Sequence, residues 1–324
     1  MAMAATACLL LPSEQPMAKR ALSALLALAC DALLPELPNH VHPVVWMGKW
    51  IKQGERFSPR NEAARLAWGA IWLSAGLGLS AGLATSIPKH PLAQALVAQS
   101  LLAYRALDRA VGEVQTALAA DDLSEARRLL SWHLVSRDTA ELSPSEVAAA
   151  AIESLAENLS DSVIAPLFWY LAAGLPGLAA YRMSNTFDAM WGYHNQRFEY
   201  LGKVAARCDD ALNLIPARLT AGMLWLVAHG QRQRTWQVAW RDHGKTASPN
   251  AGWPMAAMAG ALDTQLIKIE HYALGDGPTQ PDPALMQTAR QLARRVIYLV
   301  VAGLVIAAWG AKCGSKSVSS SNNL

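Results

Sequence analysis

The sequence is short of charge, of phenylalanine and of nucleotide-binding loops, and each shortage closes off a class of function. Only 16% of its 324 residues are Asp, Glu, Lys or Arg, against 52% hydrophobic, a more apolar balance than a soluble domain carries. The net charge is +3 and no Lys/Arg run is interleaved with aromatics, so no nucleic-acid partner is expected. The four cysteines, Cys8, Cys30, Cys208 and Cys313, are scattered without a C-x-x-C pair. They form neither a zinc pattern nor a disulfide framework, which fits a reducing compartment. No G-x-x-x-x-G-K-[ST], no G-x-G-x-x-G and no nucleophile elbow stand out, so any ATP is held without a Walker loop. Strand-like alternation long enough to build a sheet is missing, as is an internal repeat.

What is present is long apolar runs. Leu66 to Ile87 is about 22 residues without a charge, enough to cross about 30 Å of hydrocarbon. Val296 to Ala311 is shorter and follows Arg290, Arg294 and Arg295. Ala21–Leu34, Leu92–Leu107, Val163–Ala180 and Leu219–Ala228 are weaker, each short or interrupted by a polar residue. Twelve Trp against four Phe suit rings at a lipid–water boundary. The expected fold is all-α: a polytopic integral membrane protein with about four to six membrane helices, plus amphipathic or re-entrant helices around a polar site. Residues 1–20 read as an ill-defined leader, 21–311 as one membrane-embedded catalytic domain and 312–324 as a disordered tail. Lys49, Lys52, Arg56, Arg60 and Arg65 precede the first strong span and place that loop in the cytoplasm. Lys19-Arg20, the apolar run to Ala29 and Cys30 mimic a lipoprotein signal. Ala27 stands where Leu is usual and the apolar run continues past Asp31, so an uncleaved membrane segment is expected.

Two polar clusters interrupt this background. Ser143-Pro144-Ser145-Glu146 has the layout of a capping box with proline at the first helical position. Asp122 with Glu125 opens another helix, over Leu123 to Val135. On the helix after Ser143, Glu146, Glu153, Glu157 and Ser160 fall within one arc and Asp161 lies about 80° from Glu153. Periodicity alone favours a solvated acidic face. Yet no Lys, Arg or His occurs between Pro144 and Tyr181 to compensate it, and a dry, unpaired carboxylate costs several kcal/mol. Pro166 and then Gly174-Leu-Pro176-Gly177 predict a broken or re-entrant helix. The second cluster holds Arg182, Asn185, Asp188, Arg207, Asp209, Asp210, Asn213 and Arg218. Asp209, Asp210 and Asn213 share a helical turn and suit Mg²⁺ bridging phosphate oxygens; the alternative is an N-capping pair facing solvent. Each Arg either neutralises an Asp or clamps phosphate or carboxylate. His42, before Pro43, is a candidate proton carrier or a structural residue at a helix boundary. Ser248-Pro-Asn250-Ala-Gly-Trp-Pro254 is a loop able to reach a ligand.

The ordered motifs His42-Pro-Val…Gly48-Lys-Trp-Ile51, Arg137-Asp-Thr139…Leu142 and Glu153-Ser-Leu-Ala-Glu157-Asn158-Leu-Ser-Asp161 continue through Tyr181-Arg-x-x-Asn185-Thr-x-Asp188. They then run through Ala206-Arg-x-Asp209-Asp210-x-x-Asn213 and Ser248-Pro-Asn-Ala-Gly-Trp-Pro254. With these the chain, from roughly Asp31 to Ala311, resembles the adenosylcobinamide-phosphate synthase family of cobalamin biosynthesis, integral membrane proteins. One departure is Leu34-Pro-Glu36-Leu-Pro38, where the family usually carries Gly-Asp-Pro. The resemblance implies amide formation between (R)-1-aminopropan-2-yl phosphate and a propionate carboxyl of adenosylcobyric acid, with ATP activating the carboxyl and Mg²⁺ assisting. It also implies a multi-pass protein of the bacterial inner membrane with a cytoplasmic active site, associating with other membrane enzymes of late cobalamin synthesis.

In that frame Glu153, Glu157, Asp161 and His42 are the catalytic candidates. Asn158, Arg137, Arg182, Asn185, Asp188, Arg207, Arg218 and Asn250 are the substrate-binding candidates. Asp209, Asp210 and Asn213, joined by Glu153 or Glu157, are the metal candidates. Competing readings are a membrane-embedded Mg-dependent phosphotransferase or prenyltransferase, and a non-enzymatic corrinoid-binding membrane protein.

Overall fold

The computed structural model describes residues 16–193 and 195–320, with side chains through Trp309. The leader expected over 1–20 lies outside the described residues as far as residue 15. The tail expected over 312–324 overlaps the end of a helix whose side chains there are outside them too, as are residues 321–324 altogether. The chain is mostly helical. Within the described residues, 16–103, 165–212 and 301 onward form one compact unit, and 104–164 with 213–300 form a second, where the sequence reading treats 21–311 as a single domain.

The first unit holds α1 (Met17–Leu33), α2 (Pro43–Arg56), α3 (Glu62–Thr85) and α4 (Pro91–Gln99). It also holds α8 (Ala165–Trp191) and the beginning of α9 (Lys203–Val227). Helix α8 is its centre, packed by α1, α2 and α3. Small residues make that closeness possible: a Cβ on Gly69 of α3 would drive into the Leu201 backbone carbonyl. Three tryptophans wedge α2 against α3. Trp50 and Trp72 stack with centroids 4.4 Å apart, Trp68 and Trp72 at 5.2 Å. The indole N–H of Trp68 donates to the Gly54 carbonyl at 2.8 Å and that of Trp72 to the Trp50 carbonyl at 3.0 Å, so these two rings bury their bodies without orphaning their donors, whereas the Trp50 indole N–H is buried with no acceptor among the described residues. The letters Gly78-Leu-Ser80-Ala-Gly82 spell G-x-S-x-G, but they lie inside α3; a nucleophile elbow needs a strand-to-helix turn.

The break expected at Gly174-Leu-Pro176 is real. Gly174 sits at φ 70° inside α8, with Pro176 two residues on. Pro176 has no N–H for the Ala172 carbonyl, and the positive φ uncouples the carbonyls before it. Buried Arg20 of α1 repairs both, donating from Nη1 to the Leu171 carbonyl at 2.6 Å and the Ala172 carbonyl at 3.0 Å. The basic residue that mimics a signal-peptide flank is therefore a structural donor inside the fold, in keeping with an uncleaved segment.

The second unit holds α5 (Tyr104–Ala119), α6 (Leu123–His133), α7 (Pro144–Leu159) with a π-turn at Ser160–Ile164, and the later part of α9. Then come α10 (Arg232–Asp242), α11 (Gly252–Ala261), a hairpin of β1 (Leu266–Lys268) and β2 (Tyr272–Leu274), and the first part of α12 (Pro283–Ser320). Asp122 caps α6 by accepting from Glu125 N at 2.9 Å; the helix ends at His133, two residues before the expected Val135, and Glu125 pairs with Arg128 rather than closing a box. Ser143 and Glu146 make the reciprocal capping box at α7. The hairpin corrects the expectation of no sheet, since three-residue strands are too short to display alternation.

Three helical runs are long and apolar enough to cross a membrane: Glu62–Thr85, the 48-residue stretch Pro144–Trp191, and Pro283–Trp309; about four to six were expected. Only 22% of the apolar window of the first and last is buried, against 78% of the middle one, so the outer two offer faces to lipid and the middle one is core.

Candidate functional site

The acidic face of α7 points inward. The Glu153 side chain is 5% exposed and Glu157 half-buried, while Ile152, Leu155 and Ala156 on the other side are buried as well. A helix covered all round cannot carry a solvated acidic face, so the reading that periodicity favoured gives way to a polar cavity in the second unit. Ser154 Oγ donates to the Leu134 carbonyl at 2.9 Å and ties α7 to the loop after α6. Thr139 Oγ1 donates to the Arg127 carbonyl at 2.9 Å, Arg127 Nε donates to the Leu142 carbonyl at 2.7 Å, and Asp138 Oδ1 accepts from Ala140 N at 2.9 Å. The Arg137-Asp-Thr motif is thus a locked loop that delivers the Arg137 side chain to α7.

The hairpin supplies the opposite wall. Lys268 and Tyr272 are direct cross-strand partners, so their side chains share one face, with Lys268 Nζ 5.8 Å from the Tyr272 ring centroid. The next cross-strand pair on that same face, Leu266 and Leu274, is fully buried and anchors it in the core. What holds the hairpin is Asp242 at the end of α10. Its carboxylate, with no exposed side-chain surface, accepts from Arg241 Nε and Nη2 at 2.8 Å each, from Lys245 Nζ at 2.6 Å and from Gly275 N at 2.7 Å. Those partners outweigh the burial that opposes them and hold the carboxyl well below the usual range. Gly275 turns there at φ 77°, a conformation glycine adopts freely. Arg241 and Arg234 both reach Asp276, closing the network.

Between these walls lies a cavity of about 270 Å³ whose charged lining is Arg137, Glu153, Glu157 and Lys268, with Tyr272 and Ser154 beside them. Arg137 and Lys268 attract Glu153. Glu153 Oε1 is buried with no donor reaching it among the described residues. The Tyr272 hydroxyl faces the Glu153 carboxyl and contacts Met255 Sδ at 3.9 Å. Burial, then the negative charges of Glu153 and Glu157, push it far above the ordinary tyrosine range, so it stays a proton donor at neutral pH. Lys268 and Tyr272 escaped the sequence reading, which had no strand to place them on.

Other expected residues are placed as follows. Asn158 Nδ2 donates to the Ser154 carbonyl at 3.0 Å and to Ser154 Oγ at 3.2 Å, and its Oδ1 accepts from Ser162 Oγ at 3.5 Å, bracing the π-turn. Half-buried Asp161 sits in that turn. The extra residue of a π-turn shifts Asp161 away from the straight-helix position assumed for it. His42 caps α2: Nδ1 accepts from Val44 N at 3.3 Å, and His90 repeats the arrangement with Leu92 N ahead of Pro91. Burial first, and Arg182 second, lower the His42 pKa against an opposing pull from Glu36. A neutral ring whose Nδ1 accepts carries its proton on Nε2, so His42 presents a donor rather than a basic nitrogen.

In the first unit Arg182 Nη1 donates to Asn185 Oδ1 at 3.2 Å. Asp188 is half-buried, Arg207 is exposed, Asp209 is buried and Asp210 half-buried. In the second, Asn213 is buried, and exposed Arg218 lies 5.0 Å over the Trp253 ring, donating to Asn250 Oδ1 at 3.4 Å. His243 stacks on Trp253 at 4.0 Å. Of the loop expected over Ser248–Pro254, Gly252 to Pro254 form the first turn of α11 instead, and Arg218 reaches the junction through Asn250 and Trp253. Among the described residues no three His, Cys, Asp or Glu side chains group to hold a metal ion. One turn of α9 offers carboxylates and an amide oxygen, which can touch a magnesium ion that brings its remaining oxygens from phosphate and water, but cannot cage a resident one.

A family model described as CobD/Cbib protein matches residues 24–301. The chain belongs to the CobD/Cbib family. The cobalamin biosynthesis protein CobD of Dehalococcoides mccartyi (strain CBDB1) is 40% identical over 78% of this chain and 85% of its own length. Its namesake in Chromobacterium violaceum is 42% identical over 78% and 86%. The cobalamin biosynthesis protein CbiB of Salmonella choleraesuis (strain SC-B67) is 36% identical over 76% and 82%. No solved structure matches.

Proposed function

We propose that this chain acts in cobalamin biosynthesis as an amide-forming synthase. It joins (R)-1-aminopropan-2-yl phosphate to a propionate carboxyl of adenosylcobyric acid, giving adenosylcobinamide phosphate. The observation that carries the reading is the cavity in which two carboxylates and two cations meet an un-ionised tyrosine, inside a chain whose relatives are named for cobalamin biosynthesis.

A free carboxylate does not condense with an amine at neutral pH. ATP, entering with magnesium as co-substrate, transfers its γ-phosphoryl group to the propionate and leaves as ADP. The amine nitrogen then attacks the acyl carbon, the C–O bond to phosphate breaks, inorganic phosphate departs and the amide remains. The incoming ammonium must first lose a proton, and Glu157, less buried than Glu153, is the acceptor. Tyr272 donates toward oxygen where charge develops. Asp209 and Asp210 are assigned to the magnesium-bound phosphates. The membrane is a bacterial inner membrane and the active site faces the cytoplasm in this reading, which the basic residues before α3 support for their own loop.

The test is detergent-purified protein with adenosylcobyric acid, the amine phosphate, ATP and Mg²⁺, each omitted in turn, with mass spectrometry reading the amide. Glu157→Gln and Asp210→Asn are expected to abolish turnover with insertion and folding intact. Near-wild-type rates in both, or consumption of a prenyl diphosphate in place of the corrinoid, would overturn the assignment.

A further inference from the structure

The outer side of α10 takes no part in the proposed reaction. Its inner side, Thr235, Val238 and Ala239, is buried where the helix packs on α11. A surface helix ordinarily turns charged and polar residues outward. Here two outward positions, one turn apart, are Trp236 and Trp240, 47% and 55% exposed. They belong to a ladder of rings that crosses three helices. Trp225 of α9 meets Trp236 with centroids 5.9 Å apart, Trp236 meets Trp240 at 5.6 Å, and Trp240 meets Trp253 of α11 edge-on at 5.0 Å. On α9 itself Ile215, Leu219 and Leu226 are exposed and share one stripe at 100° per residue. A Cβ added to Gly222, within that stripe, would meet no atom inside 4 Å. Apolar residues exposed singly need no explanation, but rings and aliphatic chains gathered on adjoining helices mark contact with something apolar.

Charge and length say what that contact is. From residue 211 to residue 241 the sequence holds no Asp or Glu, but it holds Arg218, Arg232, Arg234 and Arg241. Arg234 and Arg241 turn to Asp263, Asp276 and Asp242. Arg218 and Arg232 are exposed. Arg218 lies 5.0 Å over the Trp253 ring, and Arg232 Nη2 donates to the Leu226 carbonyl at 2.8 Å, so a cation stands at each end of the ladder. At 11 residues α10 is about 16 Å long, roughly half of a crossing. Tryptophan flanked by arginine on a helix too short to span fits a helix lying in the plane of a membrane interface, where indole rings settle at head-group depth. We infer that this face is an interfacial anchor for an anionic phospholipid leaflet. Trp236 and Trp240 sit at head-group depth, and Arg218 and Arg232 lie against lipid phosphates. A protein partner would also bury tryptophan, but charge of a single sign matches an anionic leaflet. The chain belongs to a membrane family and has three runs able to cross a bilayer, so lipid is at hand. Asp242, which holds the hairpin, ends the same helix, so the anchor also steadies the support of the cavity wall.

The experiment is tryptophan fluorescence of the full chain in vesicles of phosphatidylcholine and phosphatidylglycerol, with the acyl chains brominated either near the head group or near their ends. The double variant Trp236→Phe/Trp240→Phe keeps two rings and removes two emitters, so the emission it loses belongs to this face. That emission is expected to be quenched at least about twofold more by shallow bromines than by deep ones. With bromine on one lipid at a time, the glycerol lipid is expected to quench it about twofold more than the choline lipid. Arg232→Gln should abolish that preference and Arg232→Lys should keep it. A fluorophore on Gln237→Cys, exposed between the two rings, reads the same depth with both tryptophans in place, should the double variant fail to fold. Quenching by dissolved iodide but by neither brominated lipid would put the face in water, open to a protein, and overturn the anchor. Stronger quenching by deep bromines would make it a hydrocarbon contact and overturn it as well. Equal quenching by the two lipids would remove the arginines from the site.

Discussion

Replacing Asp242 by Asn tests how the cavity keeps its shape without touching its lining. Asn has the same outline but no charge, and one of its two acceptors becomes a donor. Arg241 and Lys245 are roughly half exposed and recover water when the carboxylate goes, so their combined share is about 1 kcal/mol. The Gly275 N–H is buried against the carboxylate at 2.7 Å, and leaving it without a charged acceptor costs about 1–3 kcal/mol. The total is about 2–4 kcal/mol, short of the roughly 3–5 kcal/mol of a fully dry pair. At about 2–4 °C per kcal/mol for a unit of this size, thermal unfolding in detergent is expected to fall on the order of 5–15 °C. The pH dependence adds a sign. A carboxylate whose folded pKa is depressed stabilises the fold above its unfolded pKa of about 3.9, and that stability is lost as pH falls through the folded value. The gap between wild type and variant should be level from about pH 5 to 8 and shrink below about pH 4. Amide formation should weaken too, since the hairpin carrying Lys268 and Tyr272 loses its anchor. A melting point within about 1 °C of wild type, or a gap that widens on acidification, would refute the reasoning.

Other substitutions are expected to act as follows. Glu153→Met removes a buried carboxylate and should raise the melting temperature, by about 1–4 kcal/mol of added stability, while amide formation measured by mass spectrometry disappears; a loss of stability would contradict the view of Glu153 as retained for function. Arg20→Leu strips the donor from two carbonyls at the α8 break and should cost about 2–5 kcal/mol, read by thermal melting; an unchanged melt would mean that water or lipid replaces it. Gly69→Ala forces a methyl into the Leu201 carbonyl, and overpacking against backbone should lower the melt by about 1–3 kcal/mol, with no change in ligand binding to the separate second unit.

Features written in consecutive residues were legible. The capping box at Ser143–Glu146 and the break at Gly174–Pro176 each depend on one local backbone requirement, and both are found. The acidic stretch of α7 was legible as chemistry but not as position: periodicity finds a face, and only the packing of α5, α11 and β1 around α7 says that the face looks inward. Lys268 and Tyr272 were not legible, because their placement comes from a two-stranded pairing held by Asp242, about 30 residues away in sequence. His42 was read as a proton carrier or a boundary residue, and the structure shows the boundary position, where it caps α2 as His90 caps α4.

The contact of Arg20 with the carbonyls of residues 171 and 172 has a practical consequence for anyone making this protein. The family match begins at residue 24, and a gene trimmed to that span keeps every motif of the family resemblance. It would nonetheless discard the guanidinium that quiets a polar gap in the middle of an apolar helix. Such a shortened version should insert poorly or fall prey to membrane proteases, for a reason that similarity to relatives does not disclose.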